Sequence, residues 1–242
     1  MKILAKVAYL GTNYHGWQIQ PNDLSIQQVI QEKFSLILNT PTEIYASGRT
    51  DAGVHAQGQT FHFELNKEFD LNRLMYALNS LLPDDIAIKS LVEVDESFHA
   101  RFSAKGKHYR YLINNKEKDP FNHLTAMYYP YPLDYERFVK AINLFKGKHN
   151  FINFTSKEED EGGYFRDIYK IEVSKNDDII TVDLYGDGFM RYMIRDIIGT
   201  CLAVASCKED LTYISDRLDN DLSMHTSYRA SGEGLCLIDV IY

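Results

Sequence analysis

Over the first hundred positions the apolar residues keep switching between a period of two and a period near 3.6. This switching limits the possible fold more than any other feature of the chain. ILAKVAYL (3–10) reads as a strand. NDLSIQQVIQEKFSLILN then places Ile26, Val29, Ile30, Phe34, Ile37 and Leu38 at helical spacing. Ser25 is the expected N-cap, with Gln28 three residues later as in a capping box, and Pro41 follows the helix end. EIYAS (43–47) reads as a short strand, and QTFHFEL (59–65) as a half-buried one through Phe61 and Phe63. Asp70 is placed to cap a second helix with Leu71, Leu74, Met75 and Leu78 on one face, ending before Pro83. IAIKSLVEV (86–94) is a further strand. The order strand, helix, strand, strand, helix, strand predicts an α+β fold, with helices packed on a largely antiparallel sheet.

A second block follows. KHYRYLIN (107–114) alternates like a strand, and Asp134 is placed to cap a helix over 135–146 that stops at Gly147. YFRDIYKIEV (164–173) and IITVDLY (179–185) read as strands, and GFMRYMIRDIIGTCLAVAS (188–206) as one long apolar helix. A short helix is expected over 210–218, and LCLIDVIY (235–242) closes the chain as a strand. TSKEEDEGG (155–163) reads as an acidic connection without chemistry. The two blocks predict two domains, residues 1–102 and residues 103–242.

Bulk composition excludes some classes of function. A net charge of −8 argues against a protein that coats nucleic acid through bulk charge. A local basic groove is still allowed, because charges act strongly only within about 10 Å at ordinary salt. Three cysteines (Cys201, Cys207, Cys236) cannot all pair with one another and lack zinc-ligand spacing, which points to a reducing cytoplasm. Lys6 interrupts the apolar N-terminus, against a signal peptide, and no apolar run approaches the roughly 20 residues that span a bilayer. Seventeen tyrosines are many and suit contact surfaces.

Four stretches have the residue types for chemistry. GRTDAGVHAQGQ (48–59) sets Arg49 and Asp51 among three glycines, which let another molecule approach closely. The simpler reading is a tight turn in which Asp51 bonds to nearby amides. The functional reading is a reactive carboxylate. Burial alone raises an aspartate's pKa, so a shielded nucleophile needs a cation, and an arginine nearby lowers that pKa by about 1–3 units. HARFSAKGKHYRYLI (99–113) carries Arg101, Lys105, Lys107 and Arg110 without an acid between them, interleaved with Tyr109 and Tyr111. That pattern suits contact with phosphates and bases, the alternative being a guarded edge strand. FMRYMIR (189–195), read as helix, puts Phe189, Met193 and Ile197 on one face and Arg191 and Arg195 on another, and by spacing alone a core helix fits it. Finally, Asp51, His55 and His99 offer a conceivable metal site, but no HExxH or cysteine-rich pattern supports one.

Three of these stretches resemble, in order, motifs of the tRNA pseudouridine synthase A family. GRTDAGVHA resembles the signature loop around the catalytic aspartate, HARFSAKGKHYRY the motif with the active-site tyrosine, and FMRYMIR the motif whose last arginine pairs with that aspartate. YHGWQIQP, the Leu-Pro-Asp-Asp of 82–85 and GEGLCL add to the likeness, which covers almost the whole chain. The resemblance implies two related α/β domains with the active site in the cleft between them. It implies isomerisation of uridine to pseudouridine at nucleotides 38, 39 and 40 of the tRNA anticodon stem-loop. It also implies a homodimer, with no cofactor and no metal. Carried over, Asp51 is the nucleophile and Arg195 its ion-pair partner. Tyr109 is expected to stack on the target uracil, and proton transfer by it stays open. Arg49 is expected to hold the flipped nucleotide or fill the gap that it leaves. Arg101, Lys105, Lys107, Arg110 and Arg191 are the expected further contacts to RNA. Two other readings compete: a non-catalytic RNA-binding module, and a metal-dependent hydrolase built on Asp51 and the histidines.

Overall fold

The computed structural model describes residues 1–156, 163–220 and 224–242, so most of the acidic 155–163 stretch lies outside the described residues. The chain divides into two compact units, Met1–Lys105 with Cys236–Tyr242, and Gly106–Leu235.

The first unit runs β1 (Lys2–Tyr9), α1 (Ile26–Leu38), β2 (Tyr45–Ala46), β3 (His55–Glu64), α2 (Leu71–Leu81) and β4 (Ile86–Val94). β1 pairs antiparallel with both β3 and β4. Its residues alternate in burial, so Ile3, Ala5, Val7 and Tyr9 all face the core. α1 begins as the sequence predicts: Ser25 Oγ accepts from the amide of Gln28 at 3.3 Å. The second half of the capping box is not made, because the Gln28 side chain donates instead to Glu32 Oε1 at 3.0 Å. Ile26, Val29, Ile30 and Phe34 are the buried face of α1. Phe34 meets Phe63 of β3 edge-on with ring centres 4.6 Å apart. Asp70 caps α2 through the amides of Asn72 and Arg73.

The second unit runs β5 (Gly106–Asn114), β6 (Met127–Tyr128), α3 (Tyr135–Asn143), β7 (Gly147–Asn150), β8 (Phe165–Ile168), β9 (Lys170–Asn176), β10 (Ile179–Gly186), α4 (Met193–Ala205) and α5 (Thr212–Ser215). β10 lies antiparallel between β5 and β9, while β7 and β8 form a separate antiparallel pair. Asp134 caps α3 through the amide of Arg137 at 3.0 Å. Helices on mostly antiparallel strands make up both units, which is the expected α+β class.

Besides shifts of a few residues at element ends, such as α3 closing at Asn143 and β3 opening at His55, three elements differ from expectation. The single strand expected over 164–173 is two strands, β8 and β9, which pair with different neighbours. The helix expected to start at 188 starts at Met193. Its delay has a local cause: Tyr192 sits in the left-handed region at φ 62°, which a continuing helix does not allow. The Arg191 carbonyl accepts from Thr155 Oγ1 at 2.9 Å instead of entering a helical ladder. Phe189 and Arg191 therefore precede the helix, and the two shared helical faces expected for this stretch do not exist. Third, the closing strand β11 (Leu235–Ile241) runs parallel to β3 at Cys236↔His55 and Leu237↔Ala56. Chain order alone assigns this strand to the second domain, 103–242, whereas residues 236–242 belong to the first unit.

Candidate active site

In the first unit the signature loop is clamped by residues 9–18. Trp17 N donates to Thr50 O at 3.1 Å, and Gly53 N donates to Tyr14 O at 3.3 Å. Tyr9 Oη and Thr50 Oγ1 lie 2.8 Å apart in a buried hydrogen bond. Gly11 N donates to His55 Nδ1 at 2.9 Å, so that histidine nitrogen is occupied by backbone. From the downstream side, Gln59 Nε2 donates to Gly48 O at 2.9 Å. Asp51 is half-buried at the middle of this loop, and its carbonyl accepts from Val54 N at 3.2 Å. Arg49 reaches outward and donates from Nε to Gln18 Oε1 at 3.1 Å.

The clamp has its own support. Tyr14 Oη donates to Asp85 Oδ1 at 2.6 Å, and Leu10 N donates to Asp85 O at 2.9 Å. Burial, reinforced by that carboxylate, raises the Tyr14 hydroxyl well above the usual phenol range, so it is a donor at any working pH. Two motifs quoted for the family likeness thus have a physical role here. YHGW presses on the loop, and Asp85 holds the presser. The contact is tight: Gly16 has φ +86°, and a Cβ built on it would lie 2.6 Å from Thr50 O and 3.1 Å from the Asp51 carbonyl carbon.

The turn that opens the basic motif rests on two histidines. Ala100 N donates to His62 Nδ1 at 3.2 Å, and Arg101 N donates to His99 Nδ1 at 3.1 Å. The two rings meet edge-on at 4.6 Å. Burial first, then the charges of His99 and Lys2, holds His62 below the ordinary imidazole range; burial, Lys2 and Arg101 do the same to His99. Both rings must be neutral at Nδ1 to accept these amides. The unfolded chain therefore takes up protons more readily than the folded one below about pH 6.5. The stability these rings contribute is complete above that pH and is lost as pH falls through the depressed folded values. Urea titrations at pH 7.5 and 5.5 should show this loss, and His62→Asn/His99→Asn should show a shallower pH dependence. An unchanged dependence in the double variant would refute the assignment. Arg101 itself is exposed, with its guanidinium 5.7 Å over the exposed Phe102 ring, and Lys105 is exposed as well.

In the second unit β5 presents Tyr109 and Tyr111 on one buried face. Tyr111 is a core residue: its hydroxyl donates to Ser231 O at 2.7 Å, and a Cβ on Gly234 would lie 2.6 Å from its ring. GEGLCL therefore has a packing reason for its second glycine. Tyr109 packs edge-on against Phe189, ring centres 5.3 Å apart. Arg110 lies half-exposed on the opposite face, whereas the half-exposed Lys107, two residues before Tyr109, is on the tyrosines' face at the start of the strand. Arg110 forks onto Asp183 at 3.0 and 3.1 Å, and His108 Nε2 shares that carboxylate at 2.6 Å. The expected phosphate contact at Arg110 thus already has an anionic partner within its own sheet.

The third motif lies before and across the start of α4. Arg195 Nε donates to Ala230 O at 2.8 Å. Asp196 is buried and takes a two-pronged bond from Arg229 at 2.5 and 3.0 Å. Burial pushes the Asp196 carboxyl up, and the Arg229 guanidinium opposes that shift. Arg191 is exposed and donates from Nη2 to Tyr192 Oη at 3.1 Å. Among the described residues no group of three His, Cys, Asp or Glu side chains is placed to hold a metal ion, and no helix is long and apolar enough to cross a membrane.

A family profile described as tRNA pseudouridine synthase matches residues 5–103 and 141–242. The chain belongs to the tRNA pseudouridine synthase family. It is 41% identical over 242 residues to tRNA pseudouridine synthase A 1 of Protochlamydia amoebophila, across 98% of this chain and 94% of that one. It is 37% identical to tRNA pseudouridine synthase A of Geotalea uraniireducens, across 98% and 97% of the two chains. It is 38% identical to the Geobacillus sp. protein of the same name, across 100% and 98%. The chain is thus a pseudouridine synthase, an isomerase of uridine. Asp51 and Arg195 lie inside the two matched stretches of the synthase profile, while Tyr109 lies between them.

Proposed function

We propose that this synthase isomerises uridines 38, 39 and 40 in the anticodon stem-loop of tRNA, with Asp51 as nucleophile. The observation that carries the reading is the clamp around residues 48–54, in a chain of this family. Four hydrogen bonds from residues 9, 14, 17 and 59 fix that loop, whose central residue is a half-buried carboxylate, and Gly11 N holds His55 just after it. A loop serving only as a turn has no need of so many supports from a separate segment.

The reaction breaks the N1–C1′ bond, turns the uracil and rejoins it through C5. Atoms and oxidation state are conserved, so the protein supplies position and charge. The target must leave its stack, at a cost of a few kcal/mol. Arg49 is exposed on the loop beside Asp51 and takes the role of holding the extruded nucleotide or filling its gap. Arg101, Lys105, Lys107 and Arg191 contribute phosphate contacts that offset unstacking. Arg110 joins them only by sharing its charge with Asp183. Tyr109 stacks on the uracil. Arg195 is the cation that keeps Asp51 ionised while water is excluded. The working form is a cytoplasmic homodimer.

The test is purified protein with unmodified tRNA in EDTA, followed by chemical mapping of pseudouridine. Modification confined to nucleotides 38–40 and undiminished by the chelator is expected. Product elsewhere in the tRNA refutes the target assignment, and dependence on metal refutes the mechanism.

A further inference from the structure

The turn that opens the basic motif presents an aromatic ring to solvent. Phe102 is 76% exposed, with the exposed Arg101 directly before it and the exposed Lys105 three residues after. The backbone around the ring is fixed. Ser103 N donates to His99 O at 2.8 Å, and His99 N donates to Ser103 Oγ at 3.0 Å, which closes the turn from both sides. Ala100 is fully buried: its amide donates to His62 Nδ1, and its carbonyl accepts from Tyr242 Oη at 2.9 Å. Lys105 N donates to Ile241 O at 2.7 Å, so the exit from the turn is pinned to β11. Behind Phe102 the rings continue. Its centre lies 4.4 Å from that of His99, His99 lies 4.6 Å from His62, and His62 stacks on Tyr45 at 5.2 Å.

We propose that Phe102 is a base-stacking residue, on which an unpaired base of the substrate RNA rests while Arg101 and Lys105 meet the flanking phosphates. So open a ring buries little area against the first unit, and packing therefore does not account for it. The cations beside it suit a polyanion and disfavour a basic partner. An unpaired base is flat and uncharged on its faces, with its negative charge along the backbone on either side. An aromatic ring flanked by cations is the complement of that arrangement. Because the turn is already held in place, little ordering is left for the moment of binding. The proposal deepens the reading of Arg101 and Lys105 as RNA contacts and rests on it. Its further content is that this turn holds a base and not phosphate alone.

The experiment measures binding of unmodified tRNA to the full chain by filter retention over a range of salt. It compares wild type with Phe102→Ala, Phe102→Leu, Phe102→Trp and Lys105→Gln. Phe102→Ala should weaken binding by roughly tenfold, the effect of losing one stacked base. Its slope of log Kd against log salt should match wild type because no charge is lost, whereas Lys105→Gln should reduce that slope by about one. Phe102→Trp should bind within about threefold of wild type, and Phe102→Leu, apolar but without a flat face, should resemble Phe102→Ala. A fully paired RNA duplex offers no open base, so wild type and Phe102→Ala should bind it within about twofold of each other. Thermal melts check folding, and sedimentation gives the mass of each variant. The proposal is overturned if Phe102→Ala binds tRNA as wild type does, if Phe102→Leu does so, or if duplex and tRNA lose affinity alike. A lower mass for Phe102→Ala than for wild type also overturns it, because the ring is then a contact between copies of the chain. An unchanged salt slope in Lys105→Gln refutes the phosphate contact on which the stacking rests. Mapping pseudouridine in the same tRNA separates the two readings. Wild-type product outside nucleotides 38–40 refutes the target assignment and leaves the stacking result standing. Undiminished affinity in Phe102→Ala with product still at 38–40 refutes the stacking alone.

Discussion

Asp51→Asn is expected to fold like the wild type, bind tRNA and lose isomerisation by at least about 10⁴-fold. The substitution removes one charge and almost no volume. The backbone bonds that fix the loop, to Trp17, Tyr14 and Gln59, do not involve the Asp51 side chain. Its thermal midpoint should therefore stay close to that of the wild type. The chemistry, in contrast, has no substitute for the carboxylate, because attack on the ribose or uracil and charge stabilisation en route to a glycal all need an ionised oxygen. Pseudouridine formation under single turnover measures the loss, and a filter-binding assay measures retained affinity. Turnover within tenfold of wild type would remove Asp51 from the chemistry.

Gly16→Ala should come second in size, although residue 16 has no functional group. A methyl there meets the Thr50 carbonyl oxygen at 2.6 Å and the Asp51 carbonyl carbon at 3.1 Å, both of them backbone. Neither can swing aside as a flexible side-chain tip would. The backbone at φ +86° is itself strained for any residue with a Cβ. The loop, the clamp or both must shift, and a displacement of about 1 Å at a reacting group costs on the order of 10²-fold in kcat. A loss of that size with a modest fall in thermal midpoint is expected. A variant with unaltered kcat would show that the clamp does not set the position of Asp51.

The sequence discloses some of this and hides the rest for identifiable reasons. α1, α2 and α3 were legible because cap and apolar face both lie within the segment: Ser25, Asp70 and Asp134 announce their helices whatever surrounds them. The late start of α4 was not legible. MRYMIRDIIG has helical composition throughout, and what stops the helix is a left-handed Tyr192 together with bonds from Thr155 and Ser156 to the Arg191 carbonyl, more than thirty residues away in sequence. β8 and β9 merged in the sequence because alternation runs through both; only their different partners divide them. Around the candidate site, Asp51 and its glycines were visible as residue types. The pressing role of Tyr14, Gly16 and Trp17 was not, since it depends on which backbone atoms they approach. A glycine and a tryptophan side by side in a polar loop after β1 were the one available signal. Arg110 looked like a phosphate ligand because its sequence neighbours are basic; its acid, Asp183, comes from the opposite strand.

β11 has a consequence for how this enzyme is made. Its pairing partners on β3 are His55 and Ala56, which immediately follow the loop carrying Asp51. A ribosome delivers Cys236 and Leu237 only after the whole of the second unit, long after His55 and Ala56. While that unit is being made, the sheet beside the signature loop lacks one member. A nascent chain that stops short of β11 holds every residue of the loop and yet cannot finish the scaffold beneath it, so competence for isomerisation waits for that strand.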